Sequence, residues 1–371
     1  MSDRHLVTTK SNNFDLIRLA AALQVAVVHL LHHQGLDSDH NILTVLARYF
    51  PGVPIFFFVS GFLISQSFDR NPSLADFTLN RCLRIYPALI VCFLVSILSV
   101  YAAGYFRIQS PGLISFASWA AAQLSFLQFY NPDFMRHYGT GVLNGSVWTI
   151  GVELQFYALI PLIYWLMHSR RWGRMSANNL CLTLILVFIV ANRIYSMQIP
   201  TLSASIFFKL AGVTFIPWVY MFLTGVFVQH NFSWFHSRLS GKFLIVLAVY
   251  GAIAVLTERW LGWGFGNSIN PILFFALVAA GFTAAFSNPT LSDLVLRRND
   301  ISYGVYVYHM PVINFFLAIG WGASIEAFWG AMLATLGLAL MSWLIIEKPA
   351  LTLKKHPLYR HVTENRDKIV R

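Results

Sequence analysis

The first apolar stretch contains an arginine, which can hold an anionic group, and a histidine, which can act as a base. Arg18 and His29 interrupt a run that is otherwise largely apolar. As a helix, this run would place them about 16 Å apart and, at close to three turns, on nearly one face. An ionisable residue inside an apolar span is costly and is by default a hypothesis of function. The alternative is that Arg18 reaches the membrane surface and pairs with Asp15, while His29 is an interfacial residue.

A carboxylate occupies a later apolar stretch, in the segment from Trp148 to Tyr157. Glu153 lies about two turns inside the predicted outer end of that stretch, at a depth similar to that of His29. A buried carboxylate needs a partner, and a carboxylate beside an imidazole fixes its tautomer and raises its basicity, as a general base requires. We therefore predict His29 and Glu153 as catalytic residues. The alternative is that Glu153 bonds to Trp or Tyr groups.

Two further places combine polar groups with apolar surroundings. Arg81 and Arg84 are spaced i, i+3, so they share a helical face and can hold a polyanion such as phosphate. The alternative is the ordinary excess of basic residues on the cytoplasmic side. His309 lies within the tyrosine-rich segment from Tyr303 to Pro311, where it either lines a polar cavity or packs inside a bundle.

The composition indicates which elements must position these residues. The 371-residue chain is 57% hydrophobic and only 11% charged, with a mean hydropathy of +0.61, whereas a soluble domain carries about 25% charged residues. The three cysteines lie in or beside apolar runs, and their positions indicate neither a disulfide framework nor a metal site. We therefore predict an all-α polytopic membrane protein.

About ten runs are long enough to cross a bilayer, which takes about 20 mostly apolar residues. They cover roughly 14–32, 50–68, 84–104, 146–167, 179–196, 210–229, 242–258, 270–287, 301–320 and 326–346. An eleventh run, 113–130, is interrupted by polar residues. If the ten runs cross and the N-terminus is cytoplasmic, 20 of the 26 Lys and Arg residues fall inside the cell, as basic residues do in membrane proteins.

This charge distribution predicts that both termini are cytoplasmic. A crossing by 113–130 would reverse every later loop and place the basic tail outside. We therefore expect 113–130 to lie along the outer surface or to dip in and return, with a true eleventh span as the alternative. The chain is interpreted as one membrane domain, 1–371, whose residues 347–371 form a basic cytoplasmic tail resting on the anionic inner leaflet.

At these residues the chain resembles membrane acyltransferase family 3, the O-acyltransferases that modify surface and exported glycans of bacteria. The resemblance runs from Phe14 to Pro349. Its motifs are the Arg18-to-His29 spacing, the run from Gly52 to Phe62, the Arg81 and Arg84 pair, the segments Trp148 to Tyr157 and Tyr303 to Pro311, and Glu347-Lys348-Pro349. We expect the stand-alone type, without the C-terminal esterase-like domain that some members carry.

The resemblance implies an O-acyltransferase, most often an O-acetyltransferase, of the bacterial inner membrane. It would move an acyl group from cytoplasmic acyl-CoA, as co-substrate, to a hydroxyl of an exported or surface carbohydrate or glycolipid. The family's essential residue corresponds to His29, and its donor-associated arginines correspond to Arg18, Arg81 and Arg84. The residues expected to line the cavity or contact the acceptor are Ser60, Trp148, Tyr306 and His309.

We expect no bound cofactor, no metal and no nucleic-acid partner. The acyl group, the acceptor hydroxyl, the oligomeric state and the choice between direct transfer and a covalent intermediate stay open. A multi-pass transporter or flippase of a glycolipid or small molecule is the competing function, because transporters also carry charges within the membrane. No obvious two-fold arrangement of broken helices favours that alternative.

Overall fold

The fold is helical throughout the part of the chain that the computed structural model describes, residues 12–38, 41–168, 174–261 and 266–353. These ranges contain helices and turns and no strand. The helices are α1 Phe14–His33, α2 Ile42–Tyr49, α3 Gly52–Arg70, α4 Leu74–Ala102, α5 Tyr105–Gln109, α6 Leu113–Gln123, α7 Trp148–His168, α8 Arg174–Leu202, α9 Ile206–Gly212, α10 Val219–His230, α11 Phe232–Leu239, α12 Phe243–Leu261, α13 Pro271–Ser287, α14 Leu291–Leu296, α15 Ser302–Ala318, α16 Ile325–Ser342 and α17 Lys348–Thr352. Short 3-10 turns lie at Asp133–Met135 and Gly266–Ser268, and a π-helical turn at Trp343–Glu347 joins α16 to α17.

Seven segments of the described chain are long and apolar enough to cross a membrane. They are Phe14–His33, Ile42–Arg70, Leu74–Ala102, Trp148–Met167, Ala177–Leu202, Phe243–Leu261 and Ile325–Thr352. The prediction of an all-helical, multi-pass membrane protein is therefore confirmed. The count of ten spans and the cytoplasmic placement of both termini stay predictions. The predicted tail lies outside the described residues from position 354 onward.

The predicted single span 210–229 is divided in the structure. Pro217 has no N–H to continue a helix, and the chain between α9 and α10 forms turns instead. Side chains from neighbouring helices bond the released backbone groups. Gln155 donates to the Val213 carbonyl at 3.0 Å, and buried Asn192 donates to the Pro217 carbonyl at 2.9 Å. The remaining helix, α10, has only 12 residues.

The ambiguous run 113–130 does not form one continuous helix. Its helical part, α6, has 11 residues and is therefore about 16 Å long, against the ~30 Å of a hydrocarbon core. Beyond α6 the chain turns back, because the Gln123 amide donates to the carbonyls of Gln128 and Tyr130. Its placement along the outer surface stays a prediction.

The chain divides into two compact units, each assembled from separate segments. As far as these segments are described, the first comprises Met1–Val28, Asp37–Gln66 and Trp148–Ser302, and the second comprises His29–Leu36, Ser67–Val147 and Tyr303–Arg371. The single-domain interpretation stays a prediction.

In the first unit, two glycines allow α3 and α10 to approach closely. A Cβ atom added to Gly61 would lie 2.0 Å from the Phe222 carbonyl oxygen, and one on Gly225 would lie 2.2 Å from the Phe58 carbonyl oxygen. Small residues at helix contacts are the usual way in which membrane helices gain packing energy. Next to this contact, the rings of Phe156 and Phe222 stack at 4.8 Å.

In the second unit, a buried apolar cluster connects α4 and α6 with the loop before α7. Trp119 lies fully buried at its centre, with its ring 5.5 Å from the rings of both Phe93 and Phe134. Tyr138 and Leu143 of the loop belong to the same cluster. Buried side chains of the loop from 133 to 147 thus pack in this core, and the loop also holds the polar residues described below.

Large apolar side chains remain exposed along α8 and α12. Leu186 and Ile194 are 63% and 60% exposed, and Leu244 and Ile245 are 76% and 67% exposed. Such contiguous apolar surface is unusual on a water-soluble monomer. On a membrane protein it is the surface that the lipid chains cover.

The α3–α10 contact generates a stability prediction. Gly225→Ala places a methyl group against the backbone of α3, and we expect a destabilisation of about 1–3 kcal/mol, as overpacking produces. Thermal unfolding in detergent measures the change. Gly281→Ala on α13 is the matched control, because a Cβ there meets nothing within 4 Å and alanine has the higher helix propensity. Equal behaviour of the two variants would contradict the close approach.

Candidate active site

Arg18 lies one turn inside α1, where its guanidinium contacts two carboxylates of the first unit. Nη1 is 2.9 Å from Asp300 Oδ2 and 3.8 Å from Asp15 Oδ1. The Asp300 side chain is 9% exposed, against 52% for Asp15, so solvent and salt screen the Asp300 pair less. Asp300 also accepts hydrogen bonds from the backbone N and Oγ of Ser302, at the start of α15. The shorter ion pair of Arg18 is therefore with Asp300, and the longer one is with Asp15, the partner in the alternative interpretation of Arg18.

Asn13 fixes the start of α1, and with it the position of Arg18. Its buried side chain donates to the carbonyls of Ala284 and Asn288, at the end of α13. Its Oδ1 accepts from the backbone N of Ser292 at 2.8 Å. These bonds satisfy backbone groups at helix ends, which an apolar environment makes obligatory.

Glu153 on α7 binds two hydroxyl groups of the first unit. Its Oε1 accepts from Ser60 Oγ of α3 at 2.7 Å and from Tyr157 OH, one turn along α7, at 2.5 Å. The structure therefore brings together two predicted site residues, Ser60 and Glu153. The hydrogen bond from Tyr157 matches the alternative interpretation of Glu153. A pairing of Glu153 with His29 stays a prediction.

Trp148 begins α7 in the same unit. Its half-buried indole packs against Trp218, with the ring centroids 5.5 Å apart. Trp218 in turn donates its indole N–H to the Gly212 carbonyl at 2.8 Å. Trp148 thus lies at the divided segment between α9 and α10, and its predicted role as a cavity residue stays a prediction.

In the second unit, two predicted site residues form a direct hydrogen bond. His29 Nδ1, near the end of α1, is 2.9 Å from His309 Nε2 in the middle of α15. The His309 side chain is fully buried, and its Nδ1 lies 3.2 Å from the Val305 carbonyl oxygen, one turn earlier in α15. The Tyr306 ring packs edge-on against His309, with centroids 5.8 Å apart.

Pro311 removes one backbone hydrogen bond from α15 beside His309. Because proline lacks an N–H, the Val307 carbonyl four residues earlier loses its helical donor. Asn144 Nδ2 donates to this oxygen at 2.8 Å, and the Cys92 thiol of α4 donates to it at 3.2 Å. The proline therefore creates the acceptor to which the loop before α7 is bound.

The same loop is also bound one turn further along α15 by Asn314. This fully buried amide donates to the carbonyls of Val142 and Leu143, both at 2.8 Å, and accepts from the Thr140 backbone N, also at 2.8 Å. Three hydrogen bonds from one buried side chain hold the loop and α15 in one register.

Tyr306 takes part in this connection between the loop and α15. Its hydroxyl donates to the Ser146 carbonyl at 3.1 Å, and Ser146 Oγ lies 3.3 Å from the Tyr306 carbonyl. A reciprocal pair of this kind leaves the tyrosine hydroxyl engaged with the loop backbone. The structure thus gives Tyr306 a positioning contact beside His309, and its predicted contact with the acceptor stays a prediction.

Arg81 and Arg84 lie near the start of α4, in the second unit. The guanidinium carbon of Arg81 is 5.8 Å from the centroid of the Phe77 ring, and that of Arg84 is 6.0 Å from the Trp343 ring. Both side chains are half-buried. Aromatic faces at this distance attract a cation, so the rings orient the two guanidinium groups.

The sequence pattern named candidate site residues but missed several of their partners. Asp300 directly precedes the predicted span 301–320, and an acidic residue at the end of an apolar run was the available signal. Asn144 and Asn314 gave no such signal, because a single amide in a loop or an apolar run has no diagnostic spacing. The role of Asn144 depends on the carbonyl that Pro311 releases, and that of Asn314 depends on the loop backbone it binds.

The fold and the site define a class of protein. It is a helical membrane protein that carries arginines and histidines inside its apolar helices. The acyltransferase domain family matches residues 11–347, and the chain belongs to this family. It is therefore an acyltransferase, as the resemblance implied.

Three relatives cover most of the chain. It is 33% identical to nodulation protein 10 of Rhizobium leguminosarum bv. viciae, over 95% of this chain and 96% of that protein. It is 27% identical to an O-acetyl transferase of Shigella phage Sf6, over 92% and 97% respectively. It is 24% identical to the peptidoglycan O-acetyltransferase OatA of Listeria monocytogenes, over 71% of this chain and 45% of that protein. No solved structure matches the chain significantly.

The two carboxylates beside Arg18 generate a second prediction. Asp300→Asn keeps the size of the side chain but leaves a partly buried guanidinium without its nearest counter-charge. We expect the free energy of unfolding to fall by about 2 kcal/mol or more. Asp15→Asn is the control, and its effect should stay within about 0.5 kcal/mol because that carboxylate is exposed. Thermal unfolding of both variants in detergent gives the comparison, and a larger loss for Asp15→Asn would overturn the assignment.

Proposed function

We propose that this chain transfers an acyl group, most often acetyl, from acyl-CoA at the cytoplasmic face to a hydroxyl of an exported or surface carbohydrate. The observation that carries this proposal is the match to the acyltransferase family across residues 11–347. Relatives named O-acetyl transferase and peptidoglycan O-acetyltransferase support oxygen as the acceptor atom and a glycan as the acceptor. The candidate acceptors are lipopolysaccharide O-antigen, exopolysaccharide and lipo-oligosaccharide, and the membrane is the bacterial inner membrane.

His29 is the proposed general base. A general base must have a nitrogen lone pair available for the acceptor proton, and one nitrogen of His29 is already engaged by His309. In the reaction, His29 takes the proton as the acceptor oxygen forms the new ester bond with the acyl carbon. The carbon–sulfur bond of the thioester breaks, and the proton passes to the leaving thiolate. Orientation of His29 by Glu153 is the competing arrangement, since the carboxylate would need the hydrogen on the nitrogen that His309 engages.

Arg18, Arg81 and Arg84 are the proposed donor-binding residues. CoA carries phosphate groups, and arginine binds phosphate through charge-assisted, often bidentate hydrogen bonds. The half-buried positions of Arg81 and Arg84 near the start of α4 support this role, since positioned guanidinium groups lose less entropy on binding. The pantetheine arm would then reach toward His29, over a distance comparable with the ~16 Å between Arg18 and His29 along α1.

Ser60, Trp148, Tyr306 and His309 are the proposed cavity residues. The Ser60 hydroxyl is directed to Glu153, which supports a polar lining in the first unit. His309 and Tyr306 supply polar atoms in the second. These residues would meet the acceptor sugar or the acyl group.

Acyl transfer to envelope glycans tests the base. Membranes containing wild-type or His29→Ala protein are given radiolabelled acetyl-CoA and extracted glycans. We expect label in the glycan with wild type and at least a ~100-fold lower rate with His29→Ala, because a general base contributes about 10²–10⁴-fold. His32→Ala, an exposed neighbour on the same helix, should transfer normally. Transfer by a folded His29→Ala protein would exclude this mechanism, and label retained on the protein would indicate a covalent intermediate.

The donor-binding role has a separate kinetic test. Arg84→Ala should raise the apparent KM for acetyl-CoA about tenfold or more, since a charge-assisted hydrogen bond contributes about 1.5–3 kcal/mol. Arg70→Ala removes an exposed arginine from the end of α3 and should leave the KM unchanged. Initial rates at varied acetyl-CoA give both values. An unaltered KM in Arg84→Ala would remove Arg84 from the donor site.

A further inference from the structure

We propose that His309 is a positioning residue that sets the tautomer of His29. In this arrangement His309 Nε2 accepts the hydrogen on His29 Nδ1, so that Nε2 of His29 keeps the lone pair that takes the acceptor proton. The catalytic consequence rests on the proposed function, in which His29 is the base. The tautomer itself follows from two contacts in the second unit and from the burial of His309.

The Val305 carbonyl determines which nitrogen of His309 carries the hydrogen. Its Nδ1 lies 3.2 Å from the Val305 carbonyl oxygen, and a carbonyl oxygen only accepts hydrogen bonds. His309 Nδ1 is therefore the donor and carries a hydrogen. Because Val305 precedes His309 by four residues in α15, the helix itself provides this acceptor.

The neutral ring of His309 in turn determines where His29 carries its hydrogen. His309 is fully buried, and a charged imidazolium in an apolar interior is costly, so the ring is taken as neutral. A neutral imidazole has one donor nitrogen and one acceptor nitrogen. With Nδ1 as donor, His309 Nε2 is the acceptor. The 2.9 Å contact then requires a hydrogen on His29 Nδ1.

Hydrogen bonds of the neighbouring residues hold His309 in place. Two residues earlier in α15, the Val307 carbonyl is bound by Asn144 and Cys92, and the Tyr306 hydroxyl bonds to the Ser146 carbonyl. Asn314 fixes the next turn of α15 to the loop. A ring packed among elements connected in this way presents its Nε2 in one direction, as a positioning residue must.

The pair resembles the orienting half of a catalytic triad, with a neutral imidazole in place of the carboxylate. As His29 takes a proton during the reaction, its Nδ1–H bond to His309 becomes charge-assisted and stronger. His309 therefore favours the protonated intermediate state of His29 without adding a negative charge to the site.

Nuclear magnetic resonance of histidine measures the tautomer directly. The protein is labelled with ¹³C,¹⁵N-histidine and placed in lipid bilayers, and among its twelve histidines the His29 signals are identified by their loss in His29→Ala. We expect His29 with its hydrogen on Nδ1 in wild type, and a shift toward the Nε2–H form in His309→Leu. A wild-type His29 with its hydrogen on Nε2 would overturn the proposal. This readout needs no acyl transfer, so it separates failure of the inference from failure of the proposed function.

Kinetics test the consequence for catalysis. His309→Gln places an amide oxygen near the position of Nε2 and keeps an acceptor for His29, whereas His309→Leu keeps bulk and loses the acceptor. We expect kcat to fall about 10- to 100-fold in His309→Leu with the acetyl-CoA KM unchanged, as for loss of a group acting only in the transition state. His309→Gln should recover most of that loss, and His32→Leu should behave as wild type.

A double variant distinguishes positioning from packing. In the His29→Ala background, His309→Leu should lower the residual rate no further, because residues that act through one another are non-additive. Equal impairment of folded His309→Gln and His309→Leu proteins would show that His309 acts by packing, and would overturn its role as an acceptor.

Discussion

The need to satisfy every backbone polar group inside an apolar environment is the constraint on which this structure depends. Pro311 removes one donor from α15 and leaves the Val307 carbonyl to be bonded by side chains. Asn144 and Cys92 supply the donors, which connects α15 to a loop and to α4. His309 lies between the residue that supplies the carbonyl and the proline that releases it. The hydrogen bonds required by one proline therefore also determine where the imidazole can point.

The same constraint accounts for a different arrangement in the first unit. There Pro217 interrupts a run of apolar residues, and the side chains of Gln155 and Asn192 bind the backbone groups that the interruption exposes. Where the helices stay regular, the close contact comes instead from glycine, as at Gly61 and Gly225. Amide side chains bind the backbone where helices are interrupted, and small residues allow close packing where helix faces are regular. In both cases the sequence supplies the side chain that the local backbone requires, an amide at an interruption and a glycine at a close helix contact.

Hydropathy was sufficient to predict the long helices, because a bilayer imposes a length and an apolar character on each segment. It failed at 210–229, since a proline and two amides on other helices decide where that run breaks. Spacing along one helix predicted that Arg18 and His29 share a face, but spacing does not say which helix lies opposite. Asp300 and His309, the hydrogen-bond partners of those two residues, are 282 and 280 positions away in sequence. Only the tertiary fold could supply such pairs.

Arg18 and His29 have partners of different charge, and the difference matches the proposed roles of the two residues. Arg18, proposed to bind phosphate, keeps its permanent charge in place by pairing with Asp300. His29, proposed to gain and lose a proton, has an imidazole partner instead. A carboxylate partner would stabilise the protonated histidine more strongly, and the buried ion pair would carry the desolvation penalty of two charges. A neutral acceptor orients the base while allowing the proton to leave, which a catalyst must do at every turnover.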